Sequence, residues 1–211
     1  MTIQTFPSSL LVVAHGGEVD RASTEETGVR GSARDRILET AYRLFSRHGI
    51  QAVGIDTIVA ESHVAKMTLY RYFPSKEDLV LAFLDLRQQR WTHDWLEAGI
   101  ERRAATPRER LLSVFDLLDE WFRRSDFEGC SFISALLEID DKDSRIHRAT
   151  IRHLDEIRAI LERLAEQAGY SDRDATAQEL QILMMGAIVS ARRGDLNAAV
   201  RARRLAHMLL D

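Results

Sequence analysis

Apolar residues return at intervals of three and four along most of this 211-residue chain, and only 3 prolines and 11 glycines interrupt them. That period marks helices with one buried stripe, whereas a half-buried strand would alternate at every second residue. An all-α fold is therefore expected. With 45% hydrophobic residues the chain can bury a real core, so it fits one or two domains without covalent staples. Cys130 is the single cysteine, which rules out an intrachain disulfide and fits a reducing, cytoplasmic setting. No apolar run is long enough to cross a bilayer, and "SSLLVVA" near the start is too short, with no Lys or Arg before it, for a secretory signal. Residues 1–31 read as a mostly disordered extension, because "HGGEVDRASTEETGVRGS" has little to bury.

Local signals divide the remainder. Ser32 is placed to cap a first helix, with Asp35 at the capping-box position, Ile37, Ala41, Leu44 and Phe45 on one face, and Gly49 at the end. A short second helix spans about Ile55 to Ser62. After a turn at Ser62 and His63, "AKMTLYRYF" reads as a third, ended by Pro74 because the residue before a proline resists the α region. Three small helices in so short a span form a helix-turn-helix pattern, assigned to residues 32–78. Longer helices follow over 79–211. Ser75 caps a fourth, whose stripe runs Leu79, Phe83, Trp91, Trp95 and Ala98. "TPRE" opens a fifth with a proline at the first helical position and a capping box together. Beyond a short helix around "CSFISALLEI" and a long one carrying Ile146 to Leu164, "LQILMMGAIVSARRGD" is apolar almost all round and suits a helix buried on two sides. A last helix carries Leu196, Val200, Leu205 and Leu209.

Charge singles out one region. The formal net charge is -4, yet from Arg30 to Asp78 there are 8 basic against 6 acidic residues, leaving 21 against 27 elsewhere. Within it, "VAKMTLYRYFPSKEDL" places Ala65, Leu69 and Phe73 on one helix face and Lys66, Met67, Tyr70 and Arg71 on the opposite one. Periodicity alone permits a short amphipathic core helix; the two short helices before it favour a helix laid in a DNA groove.

At "RILETAYRLFSRHG" and "TLYRYFPSKEDL" the sequence resembles the TetR/AcrR family of one-component transcriptional regulators, over about Ala33 to Phe83. "GCSFISALLE" is similar to a segment of one branch of that family. The resemblance implies that Thr68, Tyr70 and Tyr72 contact DNA phosphates, with Lys76 at the start of the fourth helix and Arg34 near the start of the first as further anchors. Lys66, Met67 and Arg71 fall where base edges could be read, a cation pairing with guanine and Met67 touching a thymine methyl. Two positions depart from the family pattern: His63 stands where a glycine is usual, and Ala65 where a serine caps the third helix. Histidine tolerates a left-handed backbone better than most residues, and Ser62 is a candidate for part of the missing cap. His63 reads as a solvated turn residue, with a pH switch as the alternative.

The resemblance also implies a homodimer on a palindromic operator, paired through the last two helices. Ile188, Val189, Leu205 and Leu209 are the candidates for that interface, with Gly186 allowing close approach; the same residues could instead pack within one subunit. A small-molecule effector of unknown identity, largely hydrophobic, is expected among the middle helices. Trp91, Trp95, Phe115, Leu118, Trp121, Phe132, Leu136 and Met184 are its candidate lining, although aromatic stripes more often pack as core. A ligand against Trp91 and Trp95 would push the fourth helix and so release the DNA, the family's usual sign being repression relieved by ligand.

Other classes find less support. Cys130 amid "GCSFISALL" reads as a buried filler rather than a redox sensor. There is no HExxH, no GxSxG and no Gly-rich phosphate loop, and "DDKDSR" lacks the glycine and terminal glutamate of a calcium loop. No enzyme, metal or cofactor is expected. The alternative to a ligand-responsive regulator is an architectural or partner-responsive DNA-binding protein with no small-molecule effector.

Overall fold

The structure, a computed structural model, describes residues 31–211, so the expected N-terminal extension lies, but for Gly31, outside the described residues. Helices α1 (Ala33–His48), α2 (Ile55–Ser62) and α3 (Lys66–Tyr72) come first. The capping box at Ser32 forms in both directions, and Gly49 closes α1 at φ +85°. Ile37, Leu44, Phe45, Ile58 and Leu69 meet in one small core. Among the described residues there is no strand.

Helix α4 (Lys76–Arg87) begins at Ser75, whose hydroxyl accepts the N–H of Asp78 at 3.1 Å. Phe83 docks the helix onto α1, with its ring 5.7 Å from Tyr42 and 5.4 Å from Phe45. The chain then runs on without a break as π-helix over Gln88–Glu97 and regains the α form in α5 (Ala98–Arg103). The stripe expected here therefore does not stay on one α-helix. Trp91 and Trp95, four apart, still share one side of the π-helical stretch, and both rings reach Trp121 of the following long helix.

Helix α6 (Pro107–Phe122) starts on Thr106 with Pro107 in first place, and Leu111, Phe115, Leu118, Trp121 and Phe122 all point inward. Helices α7 (Ser131–Glu138), α8 (Arg145–Gln167), α9 (Arg173–Arg192) and α10 (Ala198–Leu209) complete the bundle. Helix α10 packs on α6 and α9 through small residues, Ala198, Ala199, Ala202 and Ala206, which let the backbones approach closely. Its larger apolar residues Val200, Leu205 and Leu209 point the other way and are exposed, as is Leu196 just before it. Ile151 on α8 is also exposed. Residues 31–211 cluster as one compact unit. No described helix is long and apolar enough to cross a membrane.

Candidate nucleic-acid interface

Leu69 and Phe73 seat α3 on the small core, so its other side is bare. Ala65, expected to share their face, is exposed. Met67 is 81% exposed, and Lys66, Tyr70, Arg71 and Tyr72 lie in the open beside it, with Thr68 half-buried. An 81% exposed methionine in the first turn of a seven-residue helix contributes nothing to folding, so this face is free for a partner. The Arg71 guanidinium lies 5.1 Å over the Tyr72 ring, within cation–π distance.

The turn before α3 is tight. His63 adopts φ 53°, ψ 44°, the left-handed conformation that closes α2 in place of a glycine. No side chain caps α3 at Ala65, and the Ser62 hydroxyl turns back to the Val59 carbonyl at 3.4 Å, so Ser62 does not supply the cap.

The cations differ in availability. Lys66 Nζ lies 2.7 Å from Asp56 Oδ1, and that hydrogen bond holds its pKa above the usual lysine value. Arg34 is exposed, its guanidinium 5.3 Å over the Phe73 ring at the end of α3. Lys76 is half-buried, and burial pushes its ammonium below the usual value while the Glu138 carboxylate acts the other way. Glu77 and Asp78 share the first turn of α4, where Arg145 Nη1 donates to Asp78 at 2.9 Å. These carboxylates lower the positive potential there, leaving α3 as the more available surface for a polyanion.

The expected effector residues divide in space. Trp91, Trp95 and Trp121 form a triangle with centroids 5.2 to 5.7 Å apart, closed by Phe127 against Trp121 at 4.8 Å. Phe115, Leu118 and Met184 are buried in the continuous core, and Leu136 is half-buried against it. Phe132 is buried in the same core and stacks on His153, centroids 5.2 Å apart. Trp91 Nε1 is buried with no hydrogen-bond partner among the described residues. Open hollows lie elsewhere, one of about 500 Å³ around Arg47, Glu128 and Arg192, another of about 440 Å³ on α10 around Arg203 and Met208.

Of the expected dimer residues, Val189, Leu205 and Leu209 are exposed, as is Gly186, whereas Ile188 is buried within the chain. Ile182, Val200 and Met208 were missed as members of this bare apolar surface. The spacing of Ile182, Gly186 and Val189 along one side of α9 was the available signal. Cys130 is buried, and burial pushes its thiol above the usual value, which makes it a poor nucleophile.

Residues 37–83 match the model for bacterial regulatory proteins of the tetR family, and residues 107–206 match a Tetracyclin repressor-like C-terminal domain. The structure of SCO4454, a TetR-family transcriptional regulator from Streptomyces coelicolor, is similar with a TM-score of 0.78 at 30% identity, over 84% of this chain and 94% of that one. The HTH-type transcriptional repressor KstR of Rhodococcus jostii is 25% identical over 175 residues, covering 83% of this chain and 75% of KstR. YxaF of Bacillus subtilis, an HTH-type transcriptional regulator, is 47% identical over 53 residues, 25% of this chain, and the chain spans only 28% of that relative's length.

Proposed function

The chain belongs to the TetR family of transcriptional regulators, with a helix-turn-helix for DNA at its N-terminal end, and from that premise we propose a homodimeric repressor released from a palindromic operator by a small, largely hydrophobic effector. The observation that carries this reading is the bare face of α3, where Met67, Tyr70 and Arg71 are exposed and unneeded by the core. Arg71 and Met67 read base edges, while Thr68, Tyr70, Tyr72, Arg34 and Lys76 hold phosphates. One such unit reads a half-site only, so specificity calls for two copies.

The exposed apolar residues of α9 and α10 support the dimer. Ile182 at 69%, Val189 at 47% and Met208 at 70% exposure would otherwise remain in water, and pairing with a second copy removes them. The tryptophan triangle supports the effector. Two of its members, Trp91 and Trp95, sit on the π-helical stretch joined directly to α4, and Trp91 holds a buried N–H that an acceptor on the effector would satisfy. Wedging the triangle open moves α4 against α1 through Phe83, with a coupling of about 1 to 3 kcal/mol.

Selection of duplexes from a random pool by the purified protein, at near-physiological salt, tests the reading. A palindrome with two half-sites supports it. Binding without a recovered motif would put the architectural reading first. Because all 3 tryptophans lie in the triangle, their intrinsic fluorescence then reports effector entry directly.

A further inference from the structure

Glu138, the last residue of α7, reaches across to the DNA-binding unit. Its Oε2 accepts the backbone N–H of Gln51 at 2.8 Å, in the turn between α1 and α2. The same carboxyl fills the space beside Gly49: a Cβ built there would lie 3.0 Å from Glu138 Cδ and nearer still to one oxygen. Gly49 also has φ +85°, so both the backbone and the carboxylate require a glycine. On the other side Lys76, at the start of α4, feels the Glu138 charge. Arg145, the first residue of α8, holds the same end of α4 through Asp78 at 2.9 Å and Glu77 at 3.2 Å.

A carboxylate accepting a backbone N–H makes a charge-assisted bond, stronger than one between neutral groups, and here it is formed across 87 positions of chain by a half-buried side chain. The turn it grips leads into α2 and so sets the tilt of α3. Tyr42, Phe45 and Phe83 already join the two regions through α4; Glu138 joins them by a second route that does not pass along that helix. We propose that Glu138 is a positioning residue for operator recognition, a strap from α7 that fixes the orientation of the helix-turn-helix and thereby the spacing of half-sites that the dimer accepts. The inference rests on the dimeric, DNA-reading function proposed above. It assigns a task to the end of "GCSFISALLE", a segment that neither the aromatic triangle nor the DNA face uses.

The test compares the full-length wild type with E138Q, which keeps an acceptor for the Gln51 N–H, and E138A, which removes it. Should E138A fail to fold, E138M keeps the side chain's length without the acceptor and carries the same expectations. Two quantities are read: hydrogen exchange at the Gln51 amide, and enrichment from a duplex pool in which the spacer between fixed half-sites varies. For E138A the amide should exchange about tenfold faster, and the single preferred spacer should give way to several enriched within about threefold of one another. E138Q should stay close to wild type in both. Unchanged exchange in E138A would overturn the strap itself. Faster exchange with an unchanged spacer preference would reduce Glu138 to a structural tie and overturn its positioning role. A wild type that selects no palindrome at all would overturn the dimeric reading and this one with it, while the exchange data would still report whether the contact forms.

Discussion

Asp56 on α2 holds the Lys66 ammonium at 2.7 Å, across the turn that joins it to α3. Both side chains are well exposed, so the pair contributes little to folding, and its consequence falls on DNA binding instead. Lys66 must leave Asp56 to reach a nucleic acid. Replacing Asp56 by Asn removes that competition and one negative charge from the DNA-facing surface. D56N is expected to bind its selected duplex about two- to fivefold more tightly at low ionic strength, with the gain fading as salt rises. Fluorescence anisotropy at several salt concentrations measures this, and a loss of affinity in D56N would show that the pair orders α3.

Arg71 lies over the Tyr72 ring on the bare face of α3. R71A is expected to relax preference at one position per half-site by roughly 1 to 3 kcal/mol while other positions keep theirs. Repeating the duplex selection with the variant shows this as one flattened column in each half-site. Equal weakening on every sequence would move Arg71 to the phosphates.

The turn before α3 carries two correctable costs. His63 holds φ 53° without being a glycine, and α3 has no side-chain cap at Ala65. H63G and A65S are each expected to raise stability by about 1 kcal/mol, the first by removing left-handed strain and the second by satisfying a free N–H. Chemical denaturation with an unchanged m-value is the check.

Val189 and Ile188 are neighbours with opposite fates. V189D places a charge on the exposed side of α9 and is expected to leave a folded monomer by sedimentation, with operator affinity lowered at least about tenfold. I188D places the charge in a site 2% exposed and is expected to unfold the chain, a cost of several kcal/mol. A folded I188D would contradict the packing of α9 described above.

His153 is buried on α8, stacked on Phe132, with Nε2 3.3 Å from Asp85 Oδ1. Burial is the largest influence and pushes its pKa below the usual histidine value, against the opposing pull of Asp85 and Glu156. The unfolded chain therefore takes up this proton at higher pH than the folded one. Above the ordinary histidine pKa of about 6.5 the residue is neutral in both states and adds no pH dependence. Below it the unfolded state gains the proton first, so stability falls with falling pH until the folded pKa is reached. H153Q should flatten that part of the stability curve measured between pH 7 and 5.

Much of this fold was legible in the chain because its signals are local. Ser32 with Asp35, Ser75 with Asp78 and Thr106 with Glu109 fix helix starts through atoms three residues apart, and Gly49 and Pro74 fix ends through their own backbone preferences. Most of the bare face of α3 followed from period, which put Leu69 and Phe73 inside and Met67 and Arg71 out; the same period put Ala65 inside, where it is exposed.

The sequence by itself determined which segments are helical and which side of α3 stays free, because helix period and capping act over a few residues. Only the tertiary structure decided which apolar residues are left over. Ile188 and Val189 differ little in chemistry, and their fates depend on what α6, α8 and α10 place opposite them. The same holds for Trp91 and Trp95, which meet Trp121 of α6 in one triangle, and for Glu138, whose partner Gln51 lies 87 positions away. Such contacts depend on the relative placement of whole helices, which is set by the packing of all their side chains at once and not by any short run of them.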